Sequence, residues 1–235
     1  IIWIGGNRGI NKVNRTRGKF VLYKNDPDNP FSLSEDIIKS LFQDSKGNFW
    51  VGTYHEGLNK LDLLSGKAIV YKNNPNNPNL LSNNSVWVIN EDIEGNIWVG
   101  TSYGLNKIDF SNNKYQVFLK DPINSNSLCH NNISALKFIG DGYLWIGTWG
   151  GGISIYDLKA NKFYNYSYDK NNPFSISNDQ IKFIFEDSEK NIWIGTLGGG
   201  LNKVESTGSK QPEKLKFIRF INNEKDKESL SSNSI

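Results

Sequence analysis

Between residues 36 and 72 the chain reads DIIKSLFQDSKGNFWVGTYHEGLNKLDLLSGKAIVYK. Its β-branched, aromatic and aliphatic residues fall into four short runs, Ile37–Phe42, Phe49–Thr53, Leu58–Leu63 and Ala68–Tyr71. The spacers QDSKGN, YHEG and LLSGK are rich in residues that form turns. The apolar residues do not recur at the three- and four-residue spacing of a helix face. The pattern predicts four strands joined by tight turns.

The same pattern is written five times. The phrases WIGGNRGIN, WVGTYHEGLN, WVGTSYGLN, WIGTWGGGIS and WIGTLGGGLN begin at Trp3, Trp50, Trp98, Trp145 and Trp193, at gaps of 47, 48, 47 and 48. Four strands in about 47 residues is the content of one propeller blade. The expected fold is therefore all-β: a β-propeller of about five four-stranded antiparallel blades, forming one domain over residues 1–235 with no second domain. The chain opens inside a second strand and stops at Ile235, where another first strand is due, so only four first strands are complete. With no Met anywhere and no leader, it reads as an excerpt of a longer protein. A seven-bladed parent ring at this period needs roughly 330 residues.

Each repeated residue has a physical task. The tryptophans lie on the second strand, where blades pack face to face and a large ring fills the gap. Gly5, Gly52, Gly100, Gly147 and Gly195 follow two residues later and let a neighbouring backbone approach. Gly9, Gly57, Gly104, Gly152 and Gly200 open the third strand, where a positive φ is expected. Asp44, Asp92 and Asp187 start the first turn, and Asp62, Asp109 and Asp157 the third, with carboxylates placed to accept from the backbone two residues on. One acid copied into every blade makes turns, whereas catalysis needs a single acid pair.

The connectors NDPDNPFSLSED, NNPNNPNLLSNNSV, KNNPFSISNDQI and ESLSSNSI complete the unit. A P-x-S-L-S-x-N-x-I connector, an E-D-x-x-G-N corner, then W-I-G-T and G-L-N closely resemble the two-component regulator propeller repeat over essentially the whole chain. The resemblance implies the extracytoplasmic sensor region of a bacterial receptor, such as a hybrid histidine kinase, in which propellers precede a β-sandwich, a membrane helix and the kinase. It implies oligosaccharides as ligands for several members. Any kinase activity would then lie outside this chain.

In such a blade the hairpin between strands two and three emerges on the same face as the inter-blade connectors. The hairpin tips differ from copy to copy and carry Asn7, Arg8, Tyr54, His55, Glu56, Tyr103 and Trp149. Variation on a repeated scaffold marks a binding face. Flat aromatics beside hydrogen-bonding groups suit sugars, although such rings also staple loops together. A second variable position runs along the first strand as Lys39, Trp87, Ser134 and Lys182, behind the constant apolar Ile38, Val86, Ile133 and Ile181. Two lysines and a tryptophan there suit an anionic sugar such as a uronate; solvated lysines and one packing ring are the plain alternative. The ligand-binding set is thus Arg8, Lys39, Tyr54, His55, Glu56, Trp87, Tyr103, Trp149 and Lys182, with no catalytic residue.

Bulk properties narrow the rest. The 235 residues are 37% hydrophobic and 22% charged, with net charge +3, mean hydropathy −0.52 and pI near 8.7. Lysines and arginines are scattered, which argues against nucleic acid, and no run of about 18 apolar residues offers membrane contact. Cys129 is alone. His55 and His130, in unlike loops, give no metal-ligand spacing, so no metal and no cofactor is expected. The sequons at Asn14, Asn132 and Asn165 are what chance gives in so Asn-rich a chain. Three functions stay open: a ligand sensor signalling through a receptor homodimer, a protein-interaction scaffold, and an enzyme like the streptogramin lyases, whose propeller uses a His and a divalent metal.

Overall fold

The computed structural model describes residues 1–13, 19–76, 80–140, 142–205 and 212–235. Among these there are nineteen strands and no helix, hence none long and apolar enough to cross a membrane. The strands form five antiparallel sheets, each a simple meander in chain order. Blade 1 holds β1 (Ile2–Gly6), β2 (Gly9–Val13) and β3 (Phe20–Tyr23). Blade 2 holds β4 (Ile38–Gln43), β5 (Phe49–Thr53), β6 (Leu58–Leu61) and β7 (Ala68–Tyr71). Blade 3 holds β8 (Val86–Glu91), β9 (Ile97–Thr101), β10 (Gly104–Asp109) and β11 (Lys114–Phe118). Blade 4 holds β12 (Ile133–Ile139), β13 (Tyr143–Thr148), β14 (Ile153–Asp157) and β15 (Lys162–Tyr166). Blade 5 holds β16 (Ile181–Glu186), β17 (Ile192–Thr196), β18 (Leu201–Val204) and β19 (Phe217–Phe220). Four sheets have four strands and blade 1 has three, as expected of a chain with four complete first strands. The chain divides into two compact units, Ile1–Val117 and Phe118–Ile235.

The buried second strands are written as apolar runs because they pack against sheets, whereas β1 of blade 1 is mostly exposed. Every residue of β5 and of β9 is buried. Within the first unit Trp50 is 1% exposed and stacks on Phe110 of blade 3 at 4.7 Å, while Trp3 meets Phe49 of blade 2 at 4.4 Å. In the second unit Trp145, Ile153 and Ile155 of blade 4 share one core with Ile181, Ile192 and Ile194 of blade 5. The indoles of Trp3, Trp50 and Trp145 thus fill gaps between sheets of their own unit.

The turn aspartates do more than bend the backbone. Asp44 Oδ1 accepts from the amides of Lys46 (3.1 Å) and Asn48 (2.7 Å), while Oδ2 accepts from the Trp50 indole N–H at 2.8 Å. Asp92 holds Trp98, and Asp187 holds Trp193, each at 2.8 Å. Across the ladder a lysine faces the same ring: Lys60 lies 5.5 Å from Trp50, Lys107 5.5 Å from Trp98 and Lys203 5.2 Å from Trp193. Blade 4 departs as a set, with Ile139, Tyr143 and Ile155 where the others have Asp, Asn and Lys.

These hydrogen bonds set an acid limit. The Trp193 indole N–H, with Asn191 and the Glu189 amide, outweighs partial burial and lowers the Asp187 carboxyl to about 2. Asp44 is lowered too: burial alone would raise it, but Trp50 and Asn48 prevail. An unfolded aspartate titrates near 3.9. Below that value the unfolded chain binds protons that the folded chain refuses, so stability falls as pH drops from about 4 towards 2. The urea midpoint is expected to decline over this window, and less steeply in Asp187→Asn. Equal slopes would remove Asp187 as a cause.

One expectation shifts in detail. The third strand of blade 2 ends at Leu61 rather than Leu63, because the Asp62 carboxylate turns the chain by accepting from the Leu64 amide at 2.8 Å. The Asn-rich connectors share a bracing that recurs between copies. Asn25 donates its amide to Asp36 (2.6 Å) and its side chain to Leu33 O (2.7 Å); Asn73 does the same with Asn84 and Leu81, and Asn222 with Asn233 and Leu230. The asparagines brace one repeated loop shape.

Candidate functional site

The variable position of the first strand has a structural cause. In all four complete blades the ladder between first and second strands slips by one residue, between Ile38 and Ser40, Val86 and Val88, Ile133 and Ala135, and Ile181 and Phe183. The residue left out is Lys39, Trp87, Ser134 or Lys182. A β-bulge frees one side chain from the pleat and re-aims it. The preceding Ile38, Val86, Ile133 and Ile181 remain buried and anchor each bulge. The sequence can change at this position without disturbing the core.

The hairpin tips stand beside the bulges. Gly57, at φ +89°, lets the β5–β6 turn close, and the buried Thr53 hydroxyl donates to Gly57 O at 2.9 Å. The Tyr54 amide donates to Ile37 O at 3.1 Å, tying the tip to the strand that carries Lys39. Four predicted residues thereby meet within the first unit. Lys39 Nζ lies 4.6 Å from the Tyr54 ring and 5.4 Å from the Trp87 ring. Tyr54 and Trp87 approach edge to face at 5.4 Å, and the His55 ring lies 4.0 Å from Tyr54. The Trp87 indole N–H donates to Ser102 Oγ at 2.7 Å. Hairpin and bulge, which looked like separate sets in the sequence, are one group here.

The remaining predicted residues lie elsewhere. Glu56 turns away to pair with Lys72. Arg8 is exposed on the β1–β2 turn, and Tyr103 is 54% exposed on the β9–β10 turn. In the second unit Trp149 is 39% exposed, tied by its amide to Asn132 O at 2.9 Å, and Lys182 stands exposed on its bulge. The sequon at Asn14 lies outside the described residues. Asn165 donates to Ser127 O at 2.9 Å and accepts from Ser154 Oγ, which stands where other blades have a third-strand asparagine.

Sequence reasoning missed Glu35. Its Oε1 lies 3.0 Å from His55 Nδ1, and its Oε2 accepts from the His55 amide at 2.7 Å. The signal was present: the equivalent positions are Asn83, His130 and Asn178, whose side chains accept from a backbone amide two residues on. Glutamate is too long for that turn and reaches the hairpin instead. His130 is accounted for by the same comparison, since its Nδ1 accepts from the Asn132 amide at 3.1 Å. Cys129 occupies the place of Ser34, Ser82 and Ser177, and burial pushes its thiol up. Among the described residues no three His, Cys, Asp or Glu side chains gather as a metal site.

Residues 32–55, 80–103, 127–150 and 175–198 match the family model described as two component regulator propeller. Each matched segment runs from a connector to a second-to-third hairpin, so the matches end on the variable tips. Among solved structures, the extracellular domain of the hybrid two component system BT3049 from B. thetaiotaomicron superposes with TM-score 0.74 at 22% identity. The match covers 99% of this chain and 34% of that one. The extracellular domain of BT4673, from the same organism, gives 0.69 at 23% identity over 94% of this chain and 26% of its own. This chain thus spans about a third or less of those proteins' solved domains, and at such identity the likeness is one of fold. No curated protein sequence matches it.

Proposed function

We propose, from its two component regulator propeller repeats, that this chain is a ligand-sensing module of a bacterial two-component receptor, working outside the cytoplasm. Its ligand is an oligosaccharide, held where the hairpin tips and first-strand bulges come together. The convergence of Tyr54, Trp87, Lys39 and His55 carries this reading. Sugars present apolar C–H faces to aromatic rings and hydroxyls to polar neighbours, and this corner has both. The chain itself does no chemistry: His55 is committed to Glu35 and His130 to a turn, and phosphotransfer belongs to the receptor's other parts. Blades braced this thoroughly resist internal rearrangement, so the signal passes as a change in the packing of receptor subunits, a homodimer in the simplest case.

The test is a thermal-shift panel of neutral and acidic oligosaccharides. A ligand at about 100 times its Kd stabilises the folded chain by about 2.7 kcal/mol, which raises the Tm by several degrees. Tyr54→Ala should abolish the shift. A panel that moves nothing would leave a protein-binding scaffold as the better account.

A further inference from the structure

We propose that the corner formed by Lys39, Tyr54 and Trp87 is a subsite for an acidic sugar, a uronate whose carboxylate lies on the Lys39 ammonium. This rests on the saccharide reading above and adds the charge and the place. The first ground is the pairing of charges. Glu35 is engaged by His55 through both oxygens, and Glu56 by Lys72. Lys39 faces two rings, and among the described residues no carboxylate or carbonyl lies within hydrogen-bonding distance of its ammonium. Three N–H donors therefore remain for an incoming anion. Of these charged side chains Lys39 alone has no polar partner among the described residues, and an anionic ligand would supply one.

The second ground is preorganisation. A lysine stem is costly to immobilise, but the two ring faces already hold its head against the aromatic wall. A carboxylate projecting from a sugar ring beside Tyr54 or Trp87 would meet the ammonium with little further ordering. Trp87 is itself held by its bond to Ser102, and Tyr54 by the tie of its amide to Ile37, so the wall is fixed before the ligand arrives. The third ground is recurrence. In the second unit Trp149 and Lys182 hold the positions corresponding to Tyr54 and Trp87, and Trp149 bridges to Gln180, two residues before Lys182. The pairing of an aromatic tip with the next bulge is thus built twice, with Lys182 in the place of Trp87 and Ser134 in the place of Lys39.

The experiment titrates the full chain with trigalacturonate, its fully methyl-esterified form and neutral galactotriose by calorimetry. The acid should bind about tenfold more tightly than the ester, the worth of one charge-assisted hydrogen bond, and the margin should shrink with added salt. Lys39→Met keeps the stem and removes the charge, so the ratio of acid to ester affinity should fall towards one, and Lys39→Arg should restore it. Unchanged urea midpoints would show that both variants fold. Equal affinity for acid and ester in the unaltered chain, or a preference that survives Lys39→Met, overturns the proposal and leaves the saccharide reading standing. Binding of no saccharide at all overturns both.

Discussion

Trp50→Ala is expected to lower the stability of the first unit by about 3–5 kcal/mol, the range for removing a buried aromatic side chain from a close-packed core. The ring is almost wholly buried, stacks on Phe110 of the next sheet and lies 6.1 Å from Tyr71. Its loss leaves a void that two β-sheets cannot close, since each is held in register by its own ladder. It also takes the indole donor from Asp44 Oδ2, which then keeps only the Asn48 side chain at 2.7 Å. Trp50→Phe separates these effects. It keeps most of the packing and loses the donor, so about 1–2 kcal/mol is expected, and a double-mutant cycle with Asp44→Asn should show coupling. Urea unfolding followed by circular dichroism reads both. A loss below about 1 kcal/mol for the alanine variant would mean that the sheets do not depend on the indole to hold together.

That dependence explains why the chain keeps the ends of its repeated phrase and varies the middle. W-I-G-T faces the neighbouring sheet and G-L-N re-enters the blade, so both are read by packing. The tip between them touches the core nowhere, and its closure is delegated to Thr53 and Gly57 or their equivalents. The period of the tryptophans, the strand runs and the turn aspartates were all legible because each is local or strictly repeated. The alliance of Asp44, Asn48 and Lys60 around one indole was harder to see. Asp and Asn read as turn residues, and Lys60 as a solvated strand residue, until the register Trp50↔Lys60 brings them together. Copy four held the clue, because all three positions change there at once.

The site was legible in its members and illegible in its grouping. Alternating apolar and polar residues mark a strand, but a bulge adds one residue and breaks the alternation, so the direction of Lys39 and Trp87 could not be read from periodicity. Hairpin and bulge are also distant in sequence, Tyr54 standing 15 residues after Lys39 and Trp87 33 residues after Tyr54. Glu35 stood out only against its counterparts in the other copies, where a shorter acceptor or an imidazole closes the turn.

Gly57→Ala should be far more damaging than Gly47→Ala, although both glycines have nearly the same backbone conformation, at φ +89° and +82°. An L-residue in that region costs about 1–2 kcal/mol by itself, and this is all that Gly47→Ala should cost, since a Cβ there meets nothing within 4 Å. At Gly57 the new carbon would sit 2.3 Å from the carbonyl oxygen of Tyr71, on the last residue of β7. A backbone atom cannot rotate aside as a side chain can, so the fourth strand must shift or the hairpin must open. Overpacking of this kind adds about 1–3 kcal/mol. The difference between the two variants, read as urea midpoints, isolates the approach of strand to hairpin from the φ penalty common to both. The displaced hairpin is also the one that places Tyr54 against Lys39 and Trp87, so Gly57→Ala should weaken any ligand bound there while Gly47→Ala spares it. Equal midpoints would mean that the hairpin is not pressed against its own fourth strand, and the tip would then have no rigid seat from which to present its side chains.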